Sequence, residues 1–239
     1  MKRIVFIAFT VLLVLSVSCI AFAKNTIELG ATYSNNNDGL INDTTHYVGA
    51  TLNGRFDIGE KISLFASLDA GLLLSSLDQT RSANFGTTIL VNYAAISTDF
   101  ATLGLLGGFH YNGRIGTFTT TLGGPTTIYH NLYNRFVLTI GAFYDLALSE
   151  KLSLYGEVEI PVAIYSAETK NYESAFITDS SLKDFDFALS TLWLSYGIRY
   201  NFTPSLHVAL QLNNNISTST TITSLRLFTS VDLLFGFSF

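Results

Sequence analysis

Charged side chains are scarce in this sequence, and long apolar runs are missing from most of it. Charged residues make up 13% of the 239 residues, about half the share of a typical soluble domain. Apolar residues make up 48%, yet past the amino-terminal segment no apolar run approaches the ~20 residues that a membrane helix needs. The composition therefore disfavours both an ordinary soluble domain and a helical membrane protein.

The amino-terminal segment is organised as a secretory signal peptide. Lys2 and Arg3 form a short basic region, residues 4–20 are almost wholly apolar, and Ala21 and Ala23 frame a small-x-small cleavage site. We therefore predict cleavage after Ala23. Residues 1–23 are the leader in this interpretation, and residues 24–239 form one exported domain.

Cysteine is nearly absent. Cys19 is the only one, and it would leave with the leader, so the processed chain has no disulfide. For an exported protein this excludes a small disulfide-stapled scaffold. The whole chain has a net charge of −5, which becomes −7 without Lys2 and Arg3, and this disfavours nucleic acid and anionic lipid headgroups as partners.

The last nine residues alternate strictly enough to define two faces of a strand. Val231, Leu233, Phe235, Phe237 and Phe239 fall on one face. In water such a face needs a second layer of structure to cover it, whereas in a bilayer lipid is its solvent. Only a closed barrel can then satisfy the backbone hydrogen bonds of a spanning strand.

The rest of the chain repeats this period-two pattern between short turns and longer polar segments, as expected of an all-β protein. We predict a membrane-spanning, up-and-down antiparallel β-barrel with short periplasmic turns and long extracellular loops. The apolar stretch 94–106 could join the fourth and fifth strands and change the count, and eight strands is the main alternative. The ten predicted strands are residues 25–33, 46–58, 62–74, 85–96, 101–111, 131–146, 152–165, 186–202, 206–213 and 225–239.

Alternation also sorts the side chains of each strand between lipid and lumen. Apolar residues such as Leu29, Leu52 and Leu138 fall on the predicted lipid face. The charged residues fall on the other face, as lipid requires, because a charge at the bilayer midplane costs roughly 2–4 kcal/mol. The predicted lumenal charge network is Glu28, Arg55, Asp69, Arg135, Asp145, Glu157, Glu159, Arg199, Arg226 and Asp232, joined on the same face by His207.

Two features of this face invite a specific interpretation. Glu157 and Glu159 lie two residues apart on one strand, so both point into the lumen. Such a pair could serve as a general acid and base, or it could pair with arginines such as Arg199 and plug a narrow interior. We also predict an ion pair between Glu28 and Arg55, on adjacent strands near the periplasmic end.

The histidines are the remaining candidates for chemistry. His46, His110 and His130 map to the outer rim. Outer-membrane proteases of the omptin family use paired aspartates and a His–Asp dyad there, but this sequence has no matching aspartate pair, so we assign no catalytic residues. We also find no metal-binding cluster and no phosphate-binding glycine loop, and we expect no cofactor.

The leader, the turn pattern and the ending Phe235-Gly-Phe237-Ser-Phe239 resemble those of small bacterial outer-membrane barrels, the group around opacity proteins and outer membrane protein A. The resemblance implies outer-membrane lipid as the surroundings. It also implies insertion by the barrel-assembly machinery with periplasmic chaperones, for which Phe235, Phe237 and Phe239 are the assembly signal. Location in the bacterial outer membrane follows from the same resemblance.

Three functions remain open from the sequence. The first is a non-enzymatic barrel that presents surface loops for envelope structure, adhesion or binding of an unidentified surface ligand. The second is a narrow channel for small or apolar solutes, since Gly49, Gly71, Gly104 and Gly108 could leave gaps in the lumen. The third is a hydrolase at the outer rim, either omptin-like or lipid-modifying.

Overall fold

The computed structural model describes residues 25–38, 43–75, 81–121, 126–173, 180–187, 191–219 and 222–239. Within these ranges no helix is long and apolar enough to cross a membrane. The strands, numbered in chain order, are β1 (Thr26–Asp38), β2 (Asp43–Asp57), β3 (Ile62–Ser75), β4 (Arg81–Ser97), β5 (Ala101–Thr121), β6 (Thr126–Ala147), β7 (Leu152–Tyr172), β8 (Ser180–Asp186), β9 (Thr191–Asn201), β10 (Leu206–Ser219) and β11 (Ile222–Ser238).

The sheet closes on itself. Each strand from β1 to β7 pairs antiparallel with the next, β9 pairs with β7 and β10, and β11 pairs with β10 and β1. At the junction, the backbones of Asn25 and Phe239 exchange two hydrogen bonds, each 2.9 Å long. Closure pairs both edges of the strands that form the ring, which is what a strand surrounded by lipid needs, whereas β8 pairs with β7 alone in the described part of the sheet.

The ring has ten strand positions, which confirms the ten-strand prediction. The extra strand arises because the predicted eighth strand is two strands. β8 pairs with β7 from Ile164 to Lys170, and β9 pairs with β7 from Leu152 to Glu159, so both follow the same side of β7. β4 and β5 are separate strands, joined by the short turn at residues 98–100.

Side-chain hydroxyls stabilise three of the short turns. The backbone amide of Ala101 donates to Thr98 Oγ1 at 3.0 Å, that of Leu152 to Ser149 Oγ at 3.1 Å, and that of Leu206 to Thr203 Oγ1 at 3.0 Å. A serine or threonine placed three residues before the next strand therefore satisfies the first amide of that strand. This is the local hydrogen bonding by which these residues favour turns over continued strands.

At the end of the barrel away from these short turns, the strands are longer than the sequence predicted. β5, β6 and β7 contain 21, 22 and 21 residues, about twice the 9–11 that cross a bilayer. Their extensions occupy much of the longer polar segments, rich in Thr and Asn, that were predicted to be extracellular loops. Threonine fits a pleated strand well, so the polar composition of these segments did not end the ladders.

The exterior is the apolar, lipid-facing band that alternation predicted. Leu29 and Leu138 are 62% and 58% exposed, which confirms their assignment to this face. At its outer edge an aromatic row crosses four neighbouring strands, with ring centroids 5.8, 4.7 and 6.3 Å apart. The row consists of Phe85, Tyr111, Phe136 and Tyr165, and it corresponds to the aromatic girdle that marks a membrane interface.

One proline lies within a spanning strand and is accommodated by a bulge. Pro161 on β7 is opposite Thr139, whereas Ala163 is opposite Leu138, so Val162 is an extra residue. Proline cannot donate a ladder hydrogen bond and is confined to edges and bulges. The register shift supplies that site, and it shifts the alternation of β7 by one residue beyond Pro161.

Candidate functional site in the barrel lumen

The strand register places the predicted charged residues on the interior face. Nine of them, together with His207, line interior cavities or are hydrogen-bonded within the lumen, and the side chain of Arg226 lies outside the described part of the structure. The placed residues are Glu28, Arg55, Asp69, Arg135, Asp145, Glu157, Glu159, Arg199, His207 and Asp232.

The inner end of the lumen contains a cluster centred on Glu28. His207 Nε2 donates to its carboxylate at 2.8 Å, and Asn53 Nδ2 donates at 3.4 Å. The Arg199 guanidinium lies 3.8 Å from Glu28 and 3.3 Å from Asp145. Glu28 therefore pairs with a histidine and an arginine on β10 and β9, and the predicted partner on β2 is wrong.

Glycines make room for the rings of this cluster. A Cβ at Gly236 would collide with the imidazole of His207, and a Cβ at Gly197 would lie 2.7 Å from the ring and hydroxyl of Tyr155. The Tyr155 ring in turn lies 4.8 Å from the Arg199 guanidinium carbon, in a cation–π arrangement. These glycines allow aromatic rings to lie flat against the inner wall.

Arg55 lies near this cluster without joining it. With Glu157 it lines a small cavity of about 80 Å³, which also contacts Glu28 and Arg199. Neither Arg55 nor Glu157 is within ion-pair distance of another side chain among the residues described. The cavity is polar and large enough for a few water molecules, because one water needs only about 10–15 Å³ of such volume.

A second cluster lies at mid-lumen around Glu159. His110 Nε2 donates to its carboxylate at 2.7 Å, and Thr139 Oγ1 donates to the same oxygen at 2.7 Å. The other ring nitrogen of His110 is hydrogen-bonded to Thr88 Oγ1 at 2.9 Å. Trp193 meets the His110 ring edge to face at 4.9 Å. The partner of Glu159 among the described side chains is thus a histidine, and Arg199, the arginine suggested from the sequence, pairs with Glu28 and Asp145 instead.

The lumen is filled around the mid-lumen cluster. Inward side chains from many strands are almost wholly buried at this level, and rings cover three of the four glycines that could have left gaps: Tyr47 lies over Gly49 and Gly71, and Phe143 over Gly104. The inner cavity and the outer one share no lining residue. The buried inward residues are Thr51, Ser67, Leu90, Leu106, Thr139, Glu159, Ala209 and Leu234.

The outer half of the lumen encloses a larger cavity of about 640 Å³. His110 and Trp193 lie at its inner end, next to the mid-lumen cluster. Its wall carries two acidic and two basic groups together with aromatic and amide side chains. The charged residues are Asp69, Arg114, Arg135 and Asp232.

Solved structures match this closed barrel over most of its length. The outer membrane protease OmpT from Escherichia coli matches with a TM-score of 0.56 at 10% identity, over 90% of this chain and 94% of that chain. The translocator domain of the autotransporter NalP from Neisseria meningitidis matches with 0.58 at 11% identity, over 98% and 95%. The chain has the fold of an outer-membrane β-barrel.

A third neighbour is Ail, the attachment invasion locus protein of Yersinia pestis, with a TM-score of 0.40 at 13% identity, over 90% of this chain and 98% of that chain. No protein-family model matches the chain, and no curated protein matches it. At these identities the likeness establishes the fold of the barrel and leaves its activity to the residues themselves.

The histidines at the outer end of the barrel are bound by other side chains. His46 is hydrogen-bonded to the Tyr33 hydroxyl at 3.0 Å. His130 is exposed and contacts Glu173 at 2.8 Å and Thr117 at 3.1 Å. Among the described side chains no histidine is hydrogen-bonded to an aspartate, and no group of three potential metal ligands comes together.

The aromatic residues of the carboxy terminus lie on the lipid face of β11. Phe235, Phe237 and Phe239 are all exposed there, and the rings of Phe237 and Phe239 stack at 6.0 Å. The predicted cleavage residues Ala21 and Ala23 lie outside the described residues.

Several lumenal contacts were not predicted from the sequence. Sequence alternation placed His207 inward without indicating its partners. His110, which was mapped to the outer rim, lies at mid-lumen, and its contact with Trp193 was not predicted. Nothing in the sequence distinguished Thr88 and Thr139 from other residues on the inward face of their strands. The two threonines bond to residues on neighbouring strands. The contacts of the histidines with Glu159, Trp193 and Glu28 instead join strands that are not adjacent, so the curvature and closure of the ring bring these side chains together.

Proposed function

We propose that this protein is a non-enzymatic barrel of the bacterial outer membrane that keeps its lumen closed and presents its outer strand extensions at the cell surface. The filled layer at mid-lumen is the observation that carries the proposal. A side-chain plug makes the wall a rigid support, and long strands beyond the aromatic row supply a surface for interaction.

The interior glycines support a closed lumen over a narrow channel. Gly49, Gly71 and Gly104 could have widened the path, but the rings of Tyr47 and Phe143 occupy the space above them. Polar side chains in the same layer satisfy one another, as in the hydrogen bond from Thr51 Oγ1 to the amide oxygen of Asn53 at 3.1 Å. A solute would have to displace packed and hydrogen-bonded groups to pass.

The lumenal histidines support a structural role over a hydrolytic one. Both ring nitrogens of His110 are engaged, one by Glu159 and one by Thr88. His207 is buried with Glu28 at the inner end. A general base has to reach the proton that it removes from a substrate, and these imidazoles are instead held by carboxylates that link one wall to another.

The proposed closure is tested by conductance. Reconstituted in planar lipid bilayers, the wild-type barrel should give no stable single-channel steps. The double variant His110→Gly, Trp193→Gly removes two rings that meet in the filled layer, and we expect it to conduct. Heat-modifiable migration on gels should first show that both proteins are folded; steps from the folded wild type would contradict the closed lumen.

Surface presentation is tested by cysteine labelling of intact cells. β5 continues about ten residues beyond Tyr111, roughly 34 Å of strand. We expect Thr117→Cys, on the exposed exterior of this extension, to react with a membrane-impermeant maleimide. Glu150→Cys in the β6–β7 turn is the control and should react only after permeabilisation. Labelling of the turn alone on intact cells would invert the orientation and refute the proposal.

The proposed export and assembly route has separate support. The exposed phenylalanines of β11 lie on the strand that closes the ring against β1. We infer that Phe235, Phe237 and Phe239 are recognised by the barrel-assembly machinery before closure and face lipid afterwards. The amino-terminal leader would supply the export step.

A further inference from the structure

The outer cavity has the size and the mixed lining of a small-molecule site. Its volume is about 640 Å³, within the roughly 300–1,000 Å³ of typical ligand pockets. Trp193 and Tyr47 offer aromatic surface, and Asn84 and Asn112 offer amide groups. The filled layer beneath separates this cavity from the one at the inner end.

One side of this cavity is acidic. Asp69 on β3 accepts a hydrogen bond from Ser67 Oγ at 3.1 Å, and Asp232 on β11 accepts one from Asn213 Nδ2 at 2.6 Å. Asn213 is held in turn by Ser195, whose hydroxyl donates to its amide oxygen at 2.6 Å. Among the side chains that the structure describes, no cationic group forms an ion pair with either aspartate.

The basic groups of the cavity lie on two adjacent strands elsewhere in the ring. Arg114 on β5 has its guanidinium carbon 5.6 Å from the centre of the Tyr133 ring. Arg135 on β6 lines the same cavity and makes no ion pair within the described ranges. This part of the wall therefore presents positive charge toward the cavity.

The strand order separates the acidic side chains of the cavity from the basic ones. β11 and β5 are five positions apart in a ring of ten, so Asp232 lies half a turn from Arg114. Asp69 and Arg135 share one cross-strand row, through Gly86 and Asn112, with three strand intervals between them. At about 4.8 Å per interval, that is roughly 14 Å of wall. Strand order and register therefore fix an acidic side and a basic side of the cavity wall.

We propose that the outer cavity binds a small zwitterionic molecule, with its cationic group at Asp69 and Asp232 and its anionic group at Arg135. A free amino acid or short peptide has this chemistry. A simple cation would leave the arginine uncompensated, and a simple anion would lie opposite two carboxylates. The proposal goes beyond surface presentation and does not require the lumen to be closed.

The test exploits the only tryptophan of the chain, Trp193, which lines this cavity. Its fluorescence in the detergent-solubilised full barrel should change saturably with alanyl-alanine. N-acetyl-alanyl-alanine keeps only the negative end and alanyl-alanine amide only the positive end. Each analogue should bind at least about tenfold more weakly than alanyl-alanine, because one charged side of the cavity then has no partner on the peptide. Equal binding of all three peptides, or no saturable change with any, would overturn the proposal.

Variants that neutralise a single charged residue test which side of the cavity binds each end of the peptide. Asp69→Asn should weaken alanyl-alanine about tenfold and reduce its preference over the acetylated peptide. Arg135→Gln should also weaken the binding of alanyl-alanine about tenfold, and it should reduce the preference for alanyl-alanine over alanyl-alanine amide. Asp99→Asn and Lys61→Gln, in exposed periplasmic turns, should bind like wild type. Wild-type affinity in both lumenal variants would refute the assigned site, whereas channel steps with intact binding would refute only the closed lumen.

Discussion

Replacing Ile140 with arginine should lower the free energy of unfolding by about 2–4 kcal/mol. Ile140 is 58% exposed on the exterior of β6, four residues from Phe136 in the outer aromatic row and four from Tyr144 at the inner end. It therefore lies near the middle of the lipid-facing band. There, a guanidinium would exchange water for hydrocarbon in the folded barrel.

The measurement is denaturant unfolding of the barrel reconstituted in phospholipid vesicles. Leu148→Arg is the matched control, because Leu148 is similarly exposed in the β6–β7 turn of the same hairpin. An arginine near the interface costs only about 0–1 kcal/mol. If the two variants lost the same stability, the exterior of β6 at Ile140 would be facing water, and the membrane-spanning interpretation would fail.

Removing the carboxylate of Glu28 should cost about 3 kcal/mol of stability. In Glu28→Ala, His207 and Arg199 lose the buried group that they share. His207 is 3% exposed, so water can compensate little for the loss. Removing one partner of a buried ion pair lowers stability by more than the pair contributes to it, because the remaining charge keeps its desolvation penalty.

Vesicle unfolding again gives the measurement, and Glu150→Ala in an exposed turn is the control, expected within about 0.5 kcal/mol of wild type. A double-mutant cycle then distinguishes the partners. Glu28 should couple to Arg199 and not to Arg55. Coupling to Arg55 alone would instead support the pair suggested by the sequence and contradict the observed register at the inner end.

The exterior of the barrel could be predicted because it depends on a local rule. A side chain in a strand points to the opposite side from its neighbours, and lipid admits only apolar groups. Leu29, Leu52 and Leu138 were therefore placed from alternation alone, as was the strand that ends at Phe239. The short turns could be predicted for the same reason, since residues such as Ser149 and Thr203 act within their own segment.

The residues at which the long strands end could not be predicted from such local rules. The Thr-rich segment that follows Tyr111 is polar enough for a loop and well suited to a strand. Its pairing with β6 up to Thr121 decides between the two. The division of the predicted eighth strand into β8 and β9 is likewise set by pairing with β7, whose register changes at Pro161.

The sequence by itself determined that this chain forms a lipid-facing cylinder with its charges turned inward, because alternation and the cost of charge in hydrocarbon both act at single positions. Only the tertiary structure decided which inward groups meet. Glu28 reaches His207 rather than Arg55 because closure brings β11 and β10 beside β1, and His110 reaches Glu159 across two strand intervals. Those contacts depend on ring size and register, which no single segment encodes.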